Sequence, residues 1–182
     1  NLSSAEQQAV KELFLLSMKP VMYVANVDEE GLLASPHVDA IKRPAADEGS
    51  ELVVICSKLE AEIAELEDSE KTEFLRDYGL SESGLDRVIN AGYKLLQLQT
   101  FFTTGEKEVR AWTIKSGASA ATAAGTVHTD FEKGFIRAEV VAYQDYIACN
   151  GEQGAKDAGK WRLEGREYPV QDGDIIRIRF NV

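Results

Sequence analysis

The sequence predicts an α/β fold in two parts, and three observations predict it. Val21 to Ala25 and Leu52 to Cys56 are apolar runs of strand length that end abruptly in polar loops. Helical spacing alternates with those runs up to about residue 95, the pattern of an α/β sheet. From Leu96 the character changes, and short strand-like segments surround one short helix.

The elements follow in order. Ser3-Ser4-Ala5-Glu6 is a capping box, and Ala5, Ala9, Val10, Leu13, Phe14 and Leu16 continue it at helical spacing. Pro20 closes that helix, because the residue before a proline is pushed out of the helical region. After the strand Val21 to Ala25, residues 30 to 50 carry Gly31, Pro36, Pro44 and Gly49 among charges and read as loop, with room for one short helix. His37 is there a solvated residue. The strand Leu52 to Cys56 leads into a second capping box, Ser57-Lys58-Leu59-Glu60. Leu59, Ile63 and Leu66 share one face of its helix, and Glu60, Glu62, Glu65 and Glu67 make a solvated one. Phe74, Leu75, Tyr78 and Leu80 form an apolar patch. Ser83 then caps a helix whose stripe is Leu85, Val88, Ile89, Gly92, Leu95 and Leu96.

In the second part, Leu98 to Thr103 and Val109 to Ile114 read as paired strands, with Gly105, Glu106 and Lys107 as the hairpin connection. Residues 116 to 125 are small and read as a loop or one short helix. Thr129-Asp130 caps a short helix, and Ile136 to Tyr143 is a strand. Gly151 to Gly159 reads as a flexible loop. Tyr168-Pro169-Val170 and Ile175 to Phe180 read as a terminal hairpin around Gln171-Asp172-Gly173-Asp174. Mixed strands around one helix suggest a compact β-grasp-like domain. Ferredoxins share that shape, but their clustered cysteines are missing here.

The formal charge of −11 argues against indiscriminate nucleic-acid binding, and no DNA partner is expected. The charge is uneven. Residues 97–182 carry 11 Lys and Arg against 12 Asp and Glu, a balance of −1, whereas residues 1–96 carry 9 against 19, a balance of −10. No apolar run approaches the roughly 20 residues of a membrane span, so no membrane partner is expected. The start Asn1-Leu2-Ser3-Ser4 is not that of a signal or transit peptide and lacks Met, which suggests that the chain begins within a longer protein. Cys56 and Cys149 stand far apart, and a reducing cytoplasm is the expected compartment.

Two polar clusters carry the chemistry. In an open, mostly parallel sheet, ligands sit beyond the carboxyl ends of the strands. The loops Asn26-Val27-Asp28-Glu29 and Cys56-Ser57-Lys58 would face one such crevice. Asn26 can offer its amide to a ring nitrogen, and Glu29 can accept from ring or exocyclic N–H groups. The Ser57-Lys58 turn adds backbone donors and an aliphatic stem for a flat base. The plainer readings are a turn-forming Asn and a helix-capping Ser. Elsewhere, Arg177 and Arg179 share one strand face, and with Lys160, Arg162 and Arg166 they are candidates for an RNA-facing patch or a merely solvated edge. Trp112, Trp161, Phe101 and Phe102 are base-stacking types that in strands are usually core. His128 beside Thr129 and Asp130 has no nucleophile in sequence reach and is read as a capped helix start rather than a general base. Cys56 carries no sequence sign of a lowered thiol pKa.

Several long stretches taken together resemble the Obg-like ATPase family, known in bacteria as YchF. They are Lys19 to Glu29, Ser57 to Glu62, Leu98 to Ile114 with its Phe-Phe-Thr-Thr-Gly run, His128 to Phe135, and Val170-Gln171-Asp172-Gly173-Asp174 to Val182. The resemblance implies the C-terminal half of such a protein. Residues 1–75 would finish a P-loop nucleotide-binding (Rossmann-like) domain, the first helix being the return from a helical insertion. Residues 76–96 would be a connecting helix, and 97–182 a TGS domain, a β-grasp module linked to RNA or ribosome binding. Related GTPases carry Asn-Lys-x-Asp at the base. Here Val27 replaces that Lys and Glu29 that Asp, so the resemblance implies a preference for ATP, with Asn26, Val27 and Glu29 at the base and Cys56, Ser57 and Lys58 in the second base-contacting loop. GTP stays open. ATP or GTP with Mg²⁺ would be the cofactors of the full-length protein, and ribosome or structured RNA its partner. The phosphate loop Gly-x-x-x-x-Gly-Lys-[Ser/Thr] is nowhere in these 182 residues, and Thr104-Gly105-Glu106-Lys107 lacks its upstream glycine and trailing hydroxyl. The chain alone is therefore expected to neither hydrolyse nucleotide nor bind it well. The rival expectation is a stand-alone RNA- or protein-binding module without nucleotide chemistry.

Overall fold

A computed structural model describes residues 3–105 and 108–181 and divides the chain into two units, 1–96 and 97–182. The expected hairpin connection through Glu106 and Lys107 lies outside the described residues.

The first unit begins with α1 (Ser4–Val10), where Ser3 and Glu6 form the capping box. The helix was expected to run on through Leu16. Instead Phe14 takes a left-handed conformation at φ 49°, between short 3-10 turns at Lys11–Leu13 and Leu16–Met18. Leu13, Phe14 and Leu16 stay exposed, so the apolar periodicity finds no surface here to stabilise a longer helix. Strand β1 (Met22–Asn26) is followed by α2 (Glu29–Leu33) and α3 (Pro36–Asp47). The reading of 30 to 50 as mostly loop is thus corrected. Pro36 sits at the helix start, where its fixed φ is an asset, and Ser35 caps the turn by accepting from the Val38 amide. Gly49, at φ 69°, closes α3 with paired bonds from the Gly49 amide to Ala46 O and the Ser50 amide to Ala45 O. The proline and glycine punctuate a helix rather than abolish it.

Strand β2 (Glu51–Ile55) pairs with β1 in parallel, from Met22 opposite Glu51 to Asn26 opposite Ile55. Then come α4 (Ser57–Glu65), α5 (Asp68–Asp77) and α6 (Gly84–Leu95). The expected capping box at Ser57 does not form. Cys56 holds the cap position with no side-chain bond, and the Glu60 carboxylate turns to another helix. Its two oxygens accept from the amides of Gly84 and Leu85, at 2.7 and 3.1 Å, and so cap α6 beside Ser83. Cys56, Leu59 and Ile63 form a small core with Leu32, Phe74, Leu75 and Leu80. The stripe expected to bury α6 is also corrected: Leu85, Ile89 and Leu96 are exposed, while the small Gly84 and Ala91 are buried. Small residues allow the helix to lie close against β2, with Val88 and Leu95 half-buried beside them.

The second unit is built on a five-stranded mixed sheet. Strands β3 (Leu98–Thr104) and β4 (Val109–Lys115) pair antiparallel, and α7 (Ala120–Val127) and α8 (Thr129–Lys133) follow. His128 itself caps α8, its Nδ1 accepting from the Asp130 amide at 3.2 Å. Strand β5 (Phe135–Ala142) precedes α9 (Tyr143–Ala148) and α10 (Glu152–Asp157), then β6 (Arg162–Glu164) and β7 (Asp174–Phe180). The glycine-rich stretch expected as a flexible loop therefore holds a helix. Gly159, at φ 69°, ends α10 with amide bonds from Gly159 to Lys156 O and from Lys160 to Ala155 O.

The expected terminal hairpin is absent. Strand order is β4-β3-β7-β5-β6, with β7 parallel to β3 and antiparallel to β5. Pro169 instead bridges Ser119, and the Val170 amide donates to Ala118 O. Asp172 accepts from the Thr100 amide and the Gly173 amide donates to Thr100 O, which steers the chain into the middle of the sheet. Buried Asp174 holds the same corner, accepting from the Tyr168 hydroxyl and the Gln171 amide, both at 2.9 Å. Burial, then that bond to Asp174, raises the Tyr168 hydroxyl above its ordinary value. One sheet face packs Phe101, Ile114, Val140 and Ile176 against Ala120 and Ala123 of α7. The other packs Val141 and Ile175 against Ala155 of α10, with Phe102, Tyr146 and Trp161 alongside.

Candidate functional site

Parallel pairing brings the carboxyl ends of β1 and β2 side by side, and a cleft of about 590 Å³ opens there. Asn26, Val27, Asp28, Glu29, Glu30, Cys56 and Lys58 line it. Each strand turns directly into a helix, α2 from the Asp28 cap and α4 from the Cys56 cap, so the loops are short and anchored at both ends. The Val27 amide continues the strand ladder to Ile55 O at 2.8 Å.

Two side-chain bonds tie the loops together. The Ser57 amide donates to Asn26 Oδ1 at 2.9 Å, and Lys58 Nζ donates to Glu29 Oε1 at 2.9 Å. With Oδ1 used in this way, Nδ2 is the donor that the Asn26 side chain has for a ligand. The Glu29 bond raises the Lys58 ammonium above its ordinary value, with the nearby charges of Glu29 and Glu62 adding to it. The cleft thus offers an amide donor, an ammonium and carboxylate oxygens around one open space. That set suits a polar, flat heteroaromatic edge. Glu30 was missed in the sequence, and Asp28 was placed in the loop without a role. Asp28 accepts from the Gly31 amide at 2.8 Å, and the Asp-x-x-Gly spacing is the signal that could have found it.

The five candidate cations of the second unit lie elsewhere and all have partners. Arg177 makes a two-pronged contact with Glu152, at 2.9 and 2.6 Å. Arg179 Nε donates to Glu139 at 2.9 Å. Arg166 donates to Glu132 O, and Arg162 to the Tyr168 hydroxyl. Lys160 faces Asp145 at 3.4 Å. The Glu152 carboxyl is held below its ordinary value by the Lys156 bond and, against some opposing burial, by Arg177. Burial pushes the Glu139 carboxyl up, but bonds from Arg179 and Trp161 and the arginine charges outweigh it and bring it down. Phe101 is wholly buried, and Trp112 donates to Thr103 Oγ1, so both serve the core. Among the described residues, no group of three or more His, Cys, Asp and Glu could hold a metal ion, and no helix is long and apolar enough to cross a membrane.

This mixed α/β architecture, carrying a polar cleft at paired strand ends, has counterparts of known structure. It is similar to the structure of the Schizosaccharomyces pombe YchF GTPase, with a TM-score of 0.83 and 34% identity, covering 98% of this chain and 48% of that one. The GTP binding protein from Pyrococcus horikoshii shares the fold, at a TM-score of 0.60 and 21% identity over 90% of this chain and 46% of that chain. Residues 98–181 match the family YchF-GTPase_C, described as a protein of unknown function (DUF933). Over its whole length the chain is 59% identical to the ribosome-binding ATPase YchF of Haemophilus influenzae, and over 97% of its length 56% identical to that of Bacillus subtilis. The chain belongs to the YchF family. It spans about half the length of these curated relatives, 50% and 49% respectively.

Proposed function

We propose that this chain is the C-terminal half of a translation-associated ATPase, and that its first unit supplies the base-reading part of the nucleotide site. The observation that carries this reading is the cleft where Asn26 and Glu29 meet Ser57 and Lys58. Asn26 Nδ2 donates to a purine ring nitrogen, Glu29 accepts from the base edge, and Val27 with the Lys58 stem gives the base an apolar wall. Cys56 and Ser57 close the second loop. Guanine presents two parallel N–H donors, and the longer Glu29 places its carboxylate one methylene away from where an Asp would meet them, which favours adenine. Phosphate and Mg²⁺ contacts supply charge neutralisation in phosphoryl transfer. With no phosphate loop in these residues, those contacts belong to the remainder of the protein.

The second unit is read as a β-grasp (TGS) module spanning 97–182, after a nucleotide-domain end at 1–75 and a connecting helix at 76–96. A mixed sheet whose last strand runs at its centre, parallel to the first, supports that reading. The relatives' name, ribosome-binding ATPase, supports docking on ribosome or structured RNA in the cytoplasm. Of the candidate cations, Lys160, with a 3.4 Å ion pair, and Arg166, with a 3.2 Å bond to a backbone carbonyl, are the best placed to turn to phosphate; Arg162, Arg177 and Arg179 are more firmly engaged.

The test is Glu29→Asp in the full-length protein. Competition binding should show the ATP-to-GTP preference shifting towards GTP by about tenfold, in line with the value of a bidentate base contact. An unchanged ratio would remove Glu29 from base reading.

A further inference from the structure

The cleft holds one charge that the base-reading scheme leaves without a task. Lys58 Nζ lies 2.9 Å from Glu29 Oε1, and it comes from the opposite loop, 29 residues further along the chain. The ammonium does not need this partner for solubility, because its side chain is 73% exposed, while Glu29 is 39% exposed. The Asn26 bond to the Ser57 amide fixes the loop next to Lys58, so the ammonium is presented to Glu29 by a tethered backbone.

We infer that Lys58 is a specificity-determining residue, which selects against guanine by occupying one oxygen of Glu29. This rests on the base-reading proposal above. A carboxylate recognises guanine by accepting two parallel N–H bonds, one on each oxygen, from the ring N1 and the exocyclic amine. With Oε1 engaged by Lys58, Oε2 is the oxygen that stays without the ammonium and is available to a base. Adenine offers on that edge a single amine donor beside a ring-nitrogen acceptor. One free carboxylate oxygen satisfies the amine, and the ammonium next to it satisfies the acceptor. Guanine in the two-bond pose has to share Oε1 with the ammonium, whose N–H donors crowd its own, so one of its two bonds is weakened while adenine's single bond to the other oxygen is not. Lys58 therefore adds to the effect of the longer Glu29 side chain rather than duplicating it: one moves the carboxylate, the other fills it.

The experiment uses the full-length protein and reads the ratio of ATP to GTP affinity by competition against a fluorescent nucleotide. Lys58→Met keeps the stem and removes the charge, Lys58→Arg keeps an ion pair, and Glu29→Gln removes the carboxylate. Circular dichroism checks that each variant is folded. Lys58→Met should move the ratio towards GTP by about tenfold, and Lys58→Arg should hold it near its starting value. In a Glu29→Gln background, adding Lys58→Met should change the ratio no further. If Glu29→Gln alters the ratio and Lys58→Met does not, the role of Lys58 is overturned while the base site stands. If neither alters it, the base-reading proposal fails together with this one.

Discussion

Residues 1–96 are built on two paired strands, residues 97–182 on five, and the two units secure their helices differently. In the first unit the core around Leu59 and Ile63 is small, and many large apolar side chains, among them Leu13, Phe14, Leu16, Leu33 and Leu85, stay exposed. Polar bonds between elements take much of the work: Glu60 caps α6, Tyr23 donates to Glu48, and Asn26 and Glu29 link to the start of α4. In the second unit Phe101, Val140, Val141 and Ile176 are almost wholly excluded from water, and helices cover both faces of the sheet. A small core leaves more of the holding to specific polar contacts, whereas a sheet packed on both faces is held largely by buried area. The first unit's exposed charge and cleft are compatible with ligand binding, and the second unit's packing with a rigid docking surface.

Core truncation should break this comparison most clearly. Both tryptophans, Trp112 and Trp161, belong to the second unit, so tryptophan fluorescence reads that unit alone. Phe101→Ala removes a fully buried ring and should lower the unfolding free energy of the second unit by about 3–5 kcal/mol, measured as a shifted denaturant midpoint in fluorescence. Leu59→Ala should leave that fluorescence transition in place and move only the far-UV signal of the first unit.

A smaller effect tests the polar side. Glu60→Ala strips two amides of α6 of a charged acceptor, and hydrogen bonds to charged groups are worth about 1.5–3 kcal/mol. Thermal melts by circular dichroism should show the first unit weakened, with Glu60→Gln milder because its amide oxygen still accepts one bond. A loss no larger for Ala than for Gln would remove the capping role.

The smallest expected effect is a pH dependence read in the second unit. Glu139 and Glu152 both have folded pKa values below the ordinary 4.5. The stability they contribute is complete above that value and is lost as pH falls through the lower folded ones. The fluorescence midpoint should therefore decline below about pH 4.5, and Glu152→Gln should flatten part of that decline. An identical slope in the variant would place the acid sensitivity elsewhere.

Much of this architecture could be read from the chain. Strands β1, β2, β3, β4 and β5 announce themselves as apolar runs, and Ser3 and Ser83 as caps, because these signals are local. What was not legible depends on partners distant in sequence. Glu60 fits a capping box with Ser57, yet it serves α6, because the Gly84 and Leu85 amides lie within its reach. Pro36 and Gly159 are helix start and helix stop, but out of context they read as loop. Strand β6 is three residues long, too short for alternation to show. The loops of the candidate site could be placed beyond strand ends, and the structure brings Asn26 to Ser57 and Glu29 to Lys58. That Lys58 takes a Glu29 oxygen could not be read, since side-chain pairing across 29 residues leaves no mark in spacing.

The order of strands in the second unit bears on how it is made. The strand at the middle of the sheet, β7, is the last of the five in the chain, and both β3 and β5 depend on it for a neighbour. Synthesis delivers a chain from its amino end. The β3–β4 pair and the β5–β6 pair are therefore both available while the slot between them is still vacant. Each then exposes an unpaired strand edge and half of an apolar face that Ile175 and Ile176 will later cover. The unit stays open until Asp174 to Phe180 is released to slide between them, so a chain stalled just short of that point presents two sticky halves rather than a nearly finished domain.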